Sequence, residues 1–168
     1  DALTGLPSLR LGKDRLTSAV AHADRHESKT ALMFVDLDGF KEVNDTIGHD
    51  AGDEVLISVA RRLTDCVRAT DTVARIGGDE FTVVITEVLD IEDIANVAKK
   101  IISKVSEPFI LSDGAAQTTI GASVGIAIYP DHGKNAEALV RLADKAMYTV
   151  KRRGKNNYVF VHDIVPED

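Results

Sequence analysis

The chain has 168 residues, of which 44% are hydrophobic and 28% are charged, as in an ordinary globular domain. This composition excludes a disordered tail, a collagen-like fibre and a coiled-coil rod, and no apolar run approaches the roughly 18 residues that cross a bilayer. The 27 acidic residues outnumber the 20 basic ones, and the net charge of −7 argues against nucleic acid as a partner.

Cys66 is the only cysteine, so neither an internal disulfide nor a cysteine zinc site is expected. We therefore expect one soluble domain in a reducing compartment, the cytoplasm, with no membrane contact of its own. The first residue is Asp1 rather than methionine, which predicts a piece of a longer, multidomain protein whose parent could be membrane-anchored.

Hydrophobic periodicity predicts the elements in chain order. Helices are predicted at residues 9–26, 40–47, 52–68, 91–105 and 135–153. Strands are predicted at 30–37, 72–76, 81–87, 108–111, 118–129 and 158–161. The order of the elements, with hairpins between neighbouring strands, predicts an α+β domain whose central sheet is mainly antiparallel and surrounded by helices.

Asp36 lies near the end of the predicted strand at 30–37 and Asp38 directly follows it, just before a helix begins. Alternation along a strand places both side chains on one side of the sheet, and carboxylates at a phosphate site suit Mg²⁺. The backbone N–H groups of Gly39 and Phe40, at the start of the helix, are candidate donors to a phosphate. The alternative is that the two aspartates only cap this helix.

Residues 77–80 (GGDE) form the turn of a predicted hairpin. Gly77 and Gly78 permit a tight turn and let a nucleotide approach the backbone. Asp79 and Glu80 then lie at the mouth of the sheet, where Asp79 could share metal ions with Asp36 if their strands are neighbours. The alternative is an ordinary turn, in which glycine and aspartate are common.

Seven segments resemble, in order, the motifs of the GGDEF-domain diguanylate cyclase family. They are residues 1–7 (DALTGLP), 36–41 (DLDGFK), 44–53 (NDTIGHDAGD), 75–81 (RIGGDEF), 123–127 (SVGIA), 143–148 (ADKAMY) and 151–156 (KRRGKN). The resemblance implies a single GGDEF domain over residues 1–168, with a fold related to the palms of polymerases and nucleotide cyclases. It also implies that two GTP molecules condense into cyclic di-GMP and release two pyrophosphates.

By this resemblance, Asp36, Asp79 and the backbone carbonyl of Leu37 hold two metal ions, either Mg²⁺ or Mn²⁺. Two such ions about 4 Å apart neutralise charge and align the attack of a ribose 3′-hydroxyl on an α-phosphate. The resemblance places Asp79 where it assists deprotonation of the hydroxyl, with Glu80 as an adjacent acid for the metal shell. Each domain binds one GTP, so a homodimer with two facing domains is expected to be the catalyst.

Guanine recognition maps by resemblance onto Asn44 and Asp53. A carboxylate can accept hydrogen bonds from guanine N1–H and the 2-amino group, a donor pair that adenine lacks. The alternatives are that Asp53 caps a helix beginning at residue 52 and that Asn44 is only a polar helix residue. His49 either contacts the nucleotide or shapes a turn over residues 48–52.

Lys41, Lys151 and Lys155 are the candidate cations for the phosphates. Lys151 and Lys155 are four residues apart near a helix end and could therefore face one way. The alternative is a solvated charge that favours the helix dipole. The family often has arginine at the place of Lys155, and the lysine keeps the charge but lacks the planar guanidinium.

Arg68 and Asp71 resemble the Arg-x-x-Asp site at which the product, cyclic di-GMP, inhibits members of the family. Arginine can bind guanine O6 and N7 in a bidentate manner. The alternative is a surface ion pair worth about 0–1 kcal/mol. A second basic group usually assists such a site, and Lys99 and Lys100 are the candidates.

The leading hypothesis is an active cyclase. The second is a catalytically weak module that binds GTP or cyclic di-GMP and regulates a neighbouring domain, and the third is a scaffold that binds no nucleotide. The acids Asp36, Asp79 and Glu80 and the guanine-site residues Asn44 and Asp53 are all present, which favours the first hypothesis.

Overall fold

Helices and strands alternate along the chain in the computed structural model, which describes residues 1–112, 114 and 117–164. The helices in these ranges are α1 (Leu9–His26), α2 (Phe40–Thr46), α3 (His49–Asp65), α4 (Ile91–Val105) and α5 (Ala136–Arg152). The strands are β1 (Lys29–Asp38), β2 (Thr72–Gly77), β3 (Glu80–Val88), β4 (Phe109–Ile110), β5 (Gln117–Thr118), β6 (Gly121–Tyr129) and β7 (Tyr158–Phe160), and a short 3-10 helix (Val161–Asp163) follows β7. None of these helices is long and apolar enough to span a membrane.

Strand β1 occupies the centre of a five-stranded sheet with the order β2-β3-β1-β6-β7. It pairs antiparallel with β3 and β6, β2 pairs antiparallel with β3, and only β6 and β7 run parallel. Because β1 has a strand on either side and helices over both faces, all of its apolar side chains are buried. This burial accounts for the unbroken apolar run at residues 31–35 (ALMFV). The helices and the mainly antiparallel sheet confirm the predicted α+β class.

The alternation of β1 assigns its side chains to two separate helical layers. Met33 and Leu37 pack in the core with α3 and α4. Phe34 packs on the opposite face with α1 and α5. Because Asp36 and Asp38 continue the series of Phe34, their side chains lie on the α5 face of the sheet.

Helix α5 lies against β6 with no space for a side chain at Gly125. A Cβ atom at this position would overlap the backbone of Ala143 and Met147 in α5, so only glycine fits. This contact fixes the distance between the helix and the sheet. It also brings Lys151, one turn after Met147, beside the end of β1.

Helices α1 and α4 have the predicted bounds, and most other elements differ from theirs by one residue at one or both ends; the largest differences are in two elements. The helix predicted at 52–68 begins at His49 and ends at Asp65, because Gly48, with a φ of 118°, turns the chain directly into α3. The strand predicted at 118–129 is divided, since β5 pairs with β4 in a separate two-stranded sheet and β6 begins only at Gly121.

Candidate active site

The end of β1 and the turn between β2 and β3 meet at one edge of the sheet. Asp36 on β1 lies opposite Glu80 on β3 in the antiparallel register. The backbone N–H of Leu37 donates to the carbonyl oxygen of Asp79 over 3.2 Å. The fold therefore brings together the acids that the sequence predicted to converge from two distant segments.

The carboxylates at this edge, which we call the acidic edge (Asp36, Asp79, Glu80 and Asp144), repel one another. Partial burial raises the pKa of Asp36, and the charge of Asp79 raises it further. Burial also raises the pKa of Glu80, together with the charges of Asp36 and Asp144. A cation at this edge would relieve the repulsion.

The ammonium of Lys151, in the last turn of α5, contacts the acidic edge. Its Nζ lies 2.7 Å from Asp38 Oδ1, 3.3 Å from the carbonyl oxygen of Leu37 and 3.4 Å from Asp36 Oδ1. Burial alone would lower the pKa of Lys151, but the hydrogen bond with Asp38 and the charge of Asp36 outweigh it and raise the pKa. The side chain therefore stays protonated as a local counter-charge.

Asp38 is buried and holds several parts of the fold together. Besides the lysine ammonium, its carboxylate accepts hydrogen bonds from Ser123 Oγ and from the backbone N–H of Asn156, each at 2.8 Å. It thereby ties β1 to β6 and to the turn after α5. Helix α2 has Gly39 as its N-cap and no side-chain cap hydrogen bond, so the interpretation that Asp36 and Asp38 cap this helix is wrong.

The turn that carries Asp79 is fixed by Arg75. Gly78 has a positive φ of 27°, as expected for a tight glycine turn, and its carbonyl oxygen accepts a hydrogen bond from Arg75 Nε at 3.0 Å. The same guanidinium lies 3.2 Å from Asp1 Oδ2. The turn is thus braced by its own strand and by the first residue of the chain.

The start of α2 follows β1 without a loop. Gly39 has a φ of 84°, a left-handed conformation that favours glycine and turns the chain out of the sheet. Phe40 is buried, so its ring belongs to the core, whereas Lys41 is exposed. The first N–H groups of a helix have no partner within the helix, which is compatible with the predicted phosphate contact.

The packing of α2 on α3 places Asn44 against Gly52, the residue before Asp53. A Cβ atom at Gly52 would overlap the amide of Asn44, and Asp53 is the next residue, exposed on α3. Because α3 begins at His49, Asp53 lies in its second turn, and the interpretation of Asp53 as the cap of a helix starting at residue 52 is wrong. For the same reason residues 49–52 are helical, and the exposed His49 does not shape a turn over them.

Lys155 lies outside α5, because the helix ends at Arg152. Its own φ of 64° is left-handed, and its backbone N–H donates to the carbonyl oxygen of Val150 over 3.0 Å. The prediction that Lys151 and Lys155 share a helical face is therefore wrong. The exposed Lys155 is placed instead by the turn that Asn156 ties to Asp38.

Arg68 and Asp71 line a groove of about 280 Å³ beside β3 and α4, here called the Arg68 groove. Asp71 accepts hydrogen bonds from the backbone N–H of Arg68 at 2.9 Å, from its Nε at 3.2 Å and from the N–H of Thr86 at 3.1 Å. The Arg68 guanidinium also donates to the carbonyl oxygen of Thr86. With 3% of the Asp71 side chain exposed and 56% of Arg68, the pair is anchored in the fold on one side and open on the other.

Of the two lysines predicted to assist this groove, neither is among the described residues that line it; its charged lining residues are Arg68, Asp71, Glu87 and Asp93. Lys99 instead lines a separate groove with Asn156 and Tyr158.

Comparison with known proteins assigns the chain to a family. The family model described as diguanylate cyclase, GGDEF domain, matches residues 1–157. The chain belongs to the GGDEF-domain family. The matched range of this GGDEF domain contains the acidic edge, the Arg68 groove and every other candidate site residue described above.

Curated relatives resemble the GGDEF domain over nearly its whole length. It is 46% identical over 160 residues to the bifunctional diguanylate cyclase/cyclic di-GMP phosphodiesterase MucR of Pseudomonas aeruginosa, covering 95% of this chain and 23% of MucR. It is 41% identical over 157 residues to the diguanylate cyclase TpbB of the same species, covering 94% of this chain and 36% of TpbB. The chain thus spans only about a quarter to a third of these relatives.

Solved structures confirm the fold of the GGDEF domain. A delta-N mutant of TpbB that comprises only its GGDEF domain superposes with a TM-score of 0.93 at 39% identity, covering 96% of this chain and 93% of that chain. The GGDEF domain of DgcB from Caulobacter crescentus, solved in complex with c-di-GMP, gives a TM-score of 0.90 at 28% identity, covering 97% and 95%.

The oxygens at the acidic edge fit a divalent cation that protein and substrate hold jointly. Within residues 1–112, 114 and 117–164, no three His, Cys, Asp or Glu side chains form a metal site by themselves. The set predicted from the sequence instead combines Asp36 and Asp79 with the carbonyl of Leu37. The Lys151 ammonium, itself a cation, already contacts two of these three groups. Mg²⁺ typically binds one or two carboxylates together with substrate phosphates, so this GGDEF domain has suitable donors.

The residues that hold the acids in place were not predicted from the sequence. Arg75 and Asp1 brace the turn, while Ser123 and Asn156 fix Asp38. All four lie inside segments that match family motifs, which was the available signal. Their function depends on contacts between distant segments, and a linear motif does not reveal these.

Proposed function

We propose that this GGDEF domain is a diguanylate cyclase that condenses two GTP molecules into cyclic di-GMP and releases two pyrophosphates. The observation that carries the proposal is the meeting of Asp36, the Leu37 carbonyl and Asp79 at one sheet edge beside the Lys151 ammonium. Relatives named diguanylate cyclases, which match nearly the whole chain, support it.

In this proposal, Asp36, Asp79 and the Leu37 carbonyl hold two Mg²⁺ or Mn²⁺ ions, with Glu80 adding to the metal shell. When bound, the ions neutralise the triphosphate and align the reacting groups. The raised pKa values of Asp36 and Glu80 support this role, because carboxylates that repel one another gain most from a nearby cation.

Each condensation forms a bond between the 3′-oxygen of one GTP and the α-phosphorus of the other, and it breaks the α–β phosphoanhydride bond. Pyrophosphate leaves with the electron pair of the broken bond, and Asp79 assists removal of the hydroxyl proton. The groups proposed to bind the triphosphate are the side chains of Lys41, Lys151 and Lys155 and the N–H groups of Gly39 and Phe40.

Guanine is read by Asn44 and Asp53, which are neighbours across the contact of α2 with α3. The Asp53 carboxylate accepts from guanine N1–H and the 2-amino group, so ATP leaves it without donors. The exposed His49, at the start of α3, supplies a further nucleotide contact.

The active form in this proposal is a homodimer. Cyclic di-GMP contains two new phosphodiester bonds, and each domain offers one set of Asp36, Leu37 and Asp79 for one GTP. Two domains must therefore face each other across the two substrates. We further propose that the domain acts in the cytoplasm within a longer protein, since the curated relatives extend well beyond the matched part.

Product inhibition is proposed at the Arg68 groove. The exposed part of the Arg68 guanidinium can bind guanine O6 and N7. The other charged residues that line the groove are Asp71, Glu87 and Asp93. That a GGDEF relative, DgcB, was solved in complex with c-di-GMP supports a product-binding function in this family.

The test is product formation by a dimer of known state. The chain alone and the chain fused to a parallel dimeric coiled coil are incubated with GTP and Mg²⁺, and cyclic di-GMP is separated by anion-exchange chromatography. We expect product from the fused dimer with GTP but not with ATP. A folded, dimeric protein that yields no cyclic di-GMP would reject the proposal.

A further inference from the structure

The Lys151 ammonium occupies a position between oxygens that the proposed function gives to a metal. Nζ is 3.3 Å from the Leu37 carbonyl oxygen and 3.4 Å from Asp36 Oδ1. Only about 21% of the Lys151 side chain is exposed, so its ammonium is held within the fold.

An ammonium and a divalent cation compete for these two oxygens when no phosphate is bound. Mg²⁺ binds oxygen at about 2.0–2.1 Å, so an ion on Leu37 and Asp36 would lie within a few ångströms of Nζ. Without a triphosphate to offset them, two positive charges so close together repel each other in a partly buried site. Each therefore weakens the binding of the other until a phosphate is present.

Asp38 determines which way the ammonium can move. The shortest contact of Lys151, at 2.7 Å, is with Asp38 Oδ1 rather than with the two metal-site oxygens. Asp38 is itself fixed by Ser123 and by the backbone of Asn156. The ammonium can therefore leave Leu37 and Asp36 by pivoting about a carboxylate that stays in place.

We propose that Lys151 is an internal cation of the metal site, which a divalent ion displaces when a triphosphate gives the ammonium a new partner, and that Asp38 is the positioning residue about which it pivots. This inference rests on the proposed function, because it assumes that metal and triphosphate bind at the acidic edge. Its consequence is positive coupling between metal and nucleotide, each binding more tightly when the other is present.

The test measures Mn²⁺ affinity in the absence of nucleotide, from the electron paramagnetic resonance signal of free Mn²⁺. Lys151→Met removes the competing charge, and we expect it to bind Mn²⁺ roughly tenfold more tightly than the wild type, within the usual range of coupling between sites. Lys145→Met is the matched control, because it removes the same charge from an exposed position on α5. Lys145→Met is expected to leave the affinity unchanged.

Further variants separate charge from shape. Lys151→Arg keeps a positive group and should restore weak Mn²⁺ binding, whereas Lys151→Gln should behave like Lys151→Met and replaces it if the methionine variant melts early. Equal Mn²⁺ affinity of the wild type and both neutral variants would overturn the proposed exchange of the Lys151 ammonium for a divalent ion. An equal gain in Lys145→Met would overturn this exchange too, because the effect would then come from net charge alone.

A second measurement repeats the titration with a non-hydrolysable GTP analogue. The wild type should now bind Mn²⁺ tightly, and the advantage of Lys151→Met should shrink or reverse, because the neutral side chain has lost its phosphate contact. If the wild type binds no Mn²⁺ even with the analogue, the proposed function fails and the exchange with it. If it does bind, but Lys151→Met gains nothing without nucleotide, only the exchange is wrong.

Discussion

The acidic edge and the Arg68 groove each pair a carboxylate with a long basic side chain, but they balance charge differently. At the acidic edge, burial and Asp79 raise the pKa of Asp36 in spite of the nearby Lys151. In the Arg68 groove, the hydrogen bond with Asp71 raises the pKa of Arg68, and backbone N–H groups satisfy the carboxylate further. At the acidic edge several carboxylates share one ammonium. In the Arg68 groove, which Glu87 and Asp93 also line, Asp71 has a guanidinium and two backbone N–H donors of its own.

This difference indicates what each region gains from a ligand. A cation at the acidic edge relieves repulsion that is already present in the folded protein. A ligand in the Arg68 groove must share or replace contacts that the fold already makes. We therefore expect substitutions at the acidic edge to affect chemistry more than stability, and substitutions at Asp71 to affect both.

The largest effect is expected for Asp79→Ala. The side chain stands at a turn tip and supports little of the core, so turnover should fall at least about 10³-fold while the fold survives. Steady-state production of cyclic di-GMP and the circular dichroism spectrum measure the two properties. Asp14→Ala, an exposed acid on α1, is the control, and a wild-type rate for Asp79→Ala would exclude the assigned role.

Asp53→Ala should produce the next largest effect, a loss of roughly 10- to 100-fold in the preference for GTP over ATP, as expected when a paired polar group is removed. Competition between the two nucleotides for the wild type and the variant gives the ratio. Unchanged discrimination would mean that guanine is read at another place.

Asp71→Ala and Arg68→Ala together test the ion pair of the Arg68 groove. Loss of the Asp71 carboxylate leaves the N–H groups of Arg68 and Thr86 without their acceptor, so the free energy of unfolding should fall by about 1–3 kcal/mol. Arg68→Ala keeps both of these hydrogen bonds and should cost less, while both variants relieve product inhibition. Urea denaturation measures the stability of both variants, and inhibition curves with cyclic di-GMP measure product binding. Equal losses of stability would contradict the anchoring function of Asp71. Unaltered inhibition would exclude the Arg68 groove as the product site.

Asp36→Asn should give the smallest effect, a pH-dependent gain in stability. The folded state raises the pKa of Asp36, so the folded protein binds a proton at Asp36 more readily than the unfolded chain does. Protonated Asp36 therefore favours folding at low pH, and this contribution to stability is lost as pH rises through the raised pKa. In a chelating buffer at neutral pH the asparagine variant should therefore melt above the wild type. The difference in melting temperature between the variant and the wild type should narrow as pH falls toward about 3.9, the ordinary pKa of aspartate. A lower melting temperature of the variant at neutral pH would instead show that Lys151 already compensates the charge of Asp36.

The features that follow from local pattern were predictable from the sequence. Apolar spacing gave α1 and α4 their bounds and predicted β1 as a strand. Strand alternation placed Asp36 and Asp38 on one face, and the glycine pair predicted the turn that carries Asp79. These inferences need only the period of an element and the position of a turn.

The remaining features depend on tertiary contacts. The start of α3 is set by the conformation of Gly48, and the division of the predicted strand at 118–129 is set by the different partners of β5 and β6. Ser123 and Asp38 are 85 residues apart in the chain, and Arg75 and Asp1 are 74 apart. No rule of sequence spacing connects residues so distant. The contacts that hold Asp38 and the turn at Asp79 in place can therefore be seen only in the folded structure.

The close packing at Gly125 fixes the distance of α5 from the sheet, and this distance determines how close Lys151 lies to Leu37 and Asp36. A methyl group at Gly125 would overlap the backbone of α5, so the helix would have to move away from the sheet and carry Lys151 away from Asp36 and Leu37. In the proposed cyclase, a core position with no chemistry of its own would thus adjust the rate.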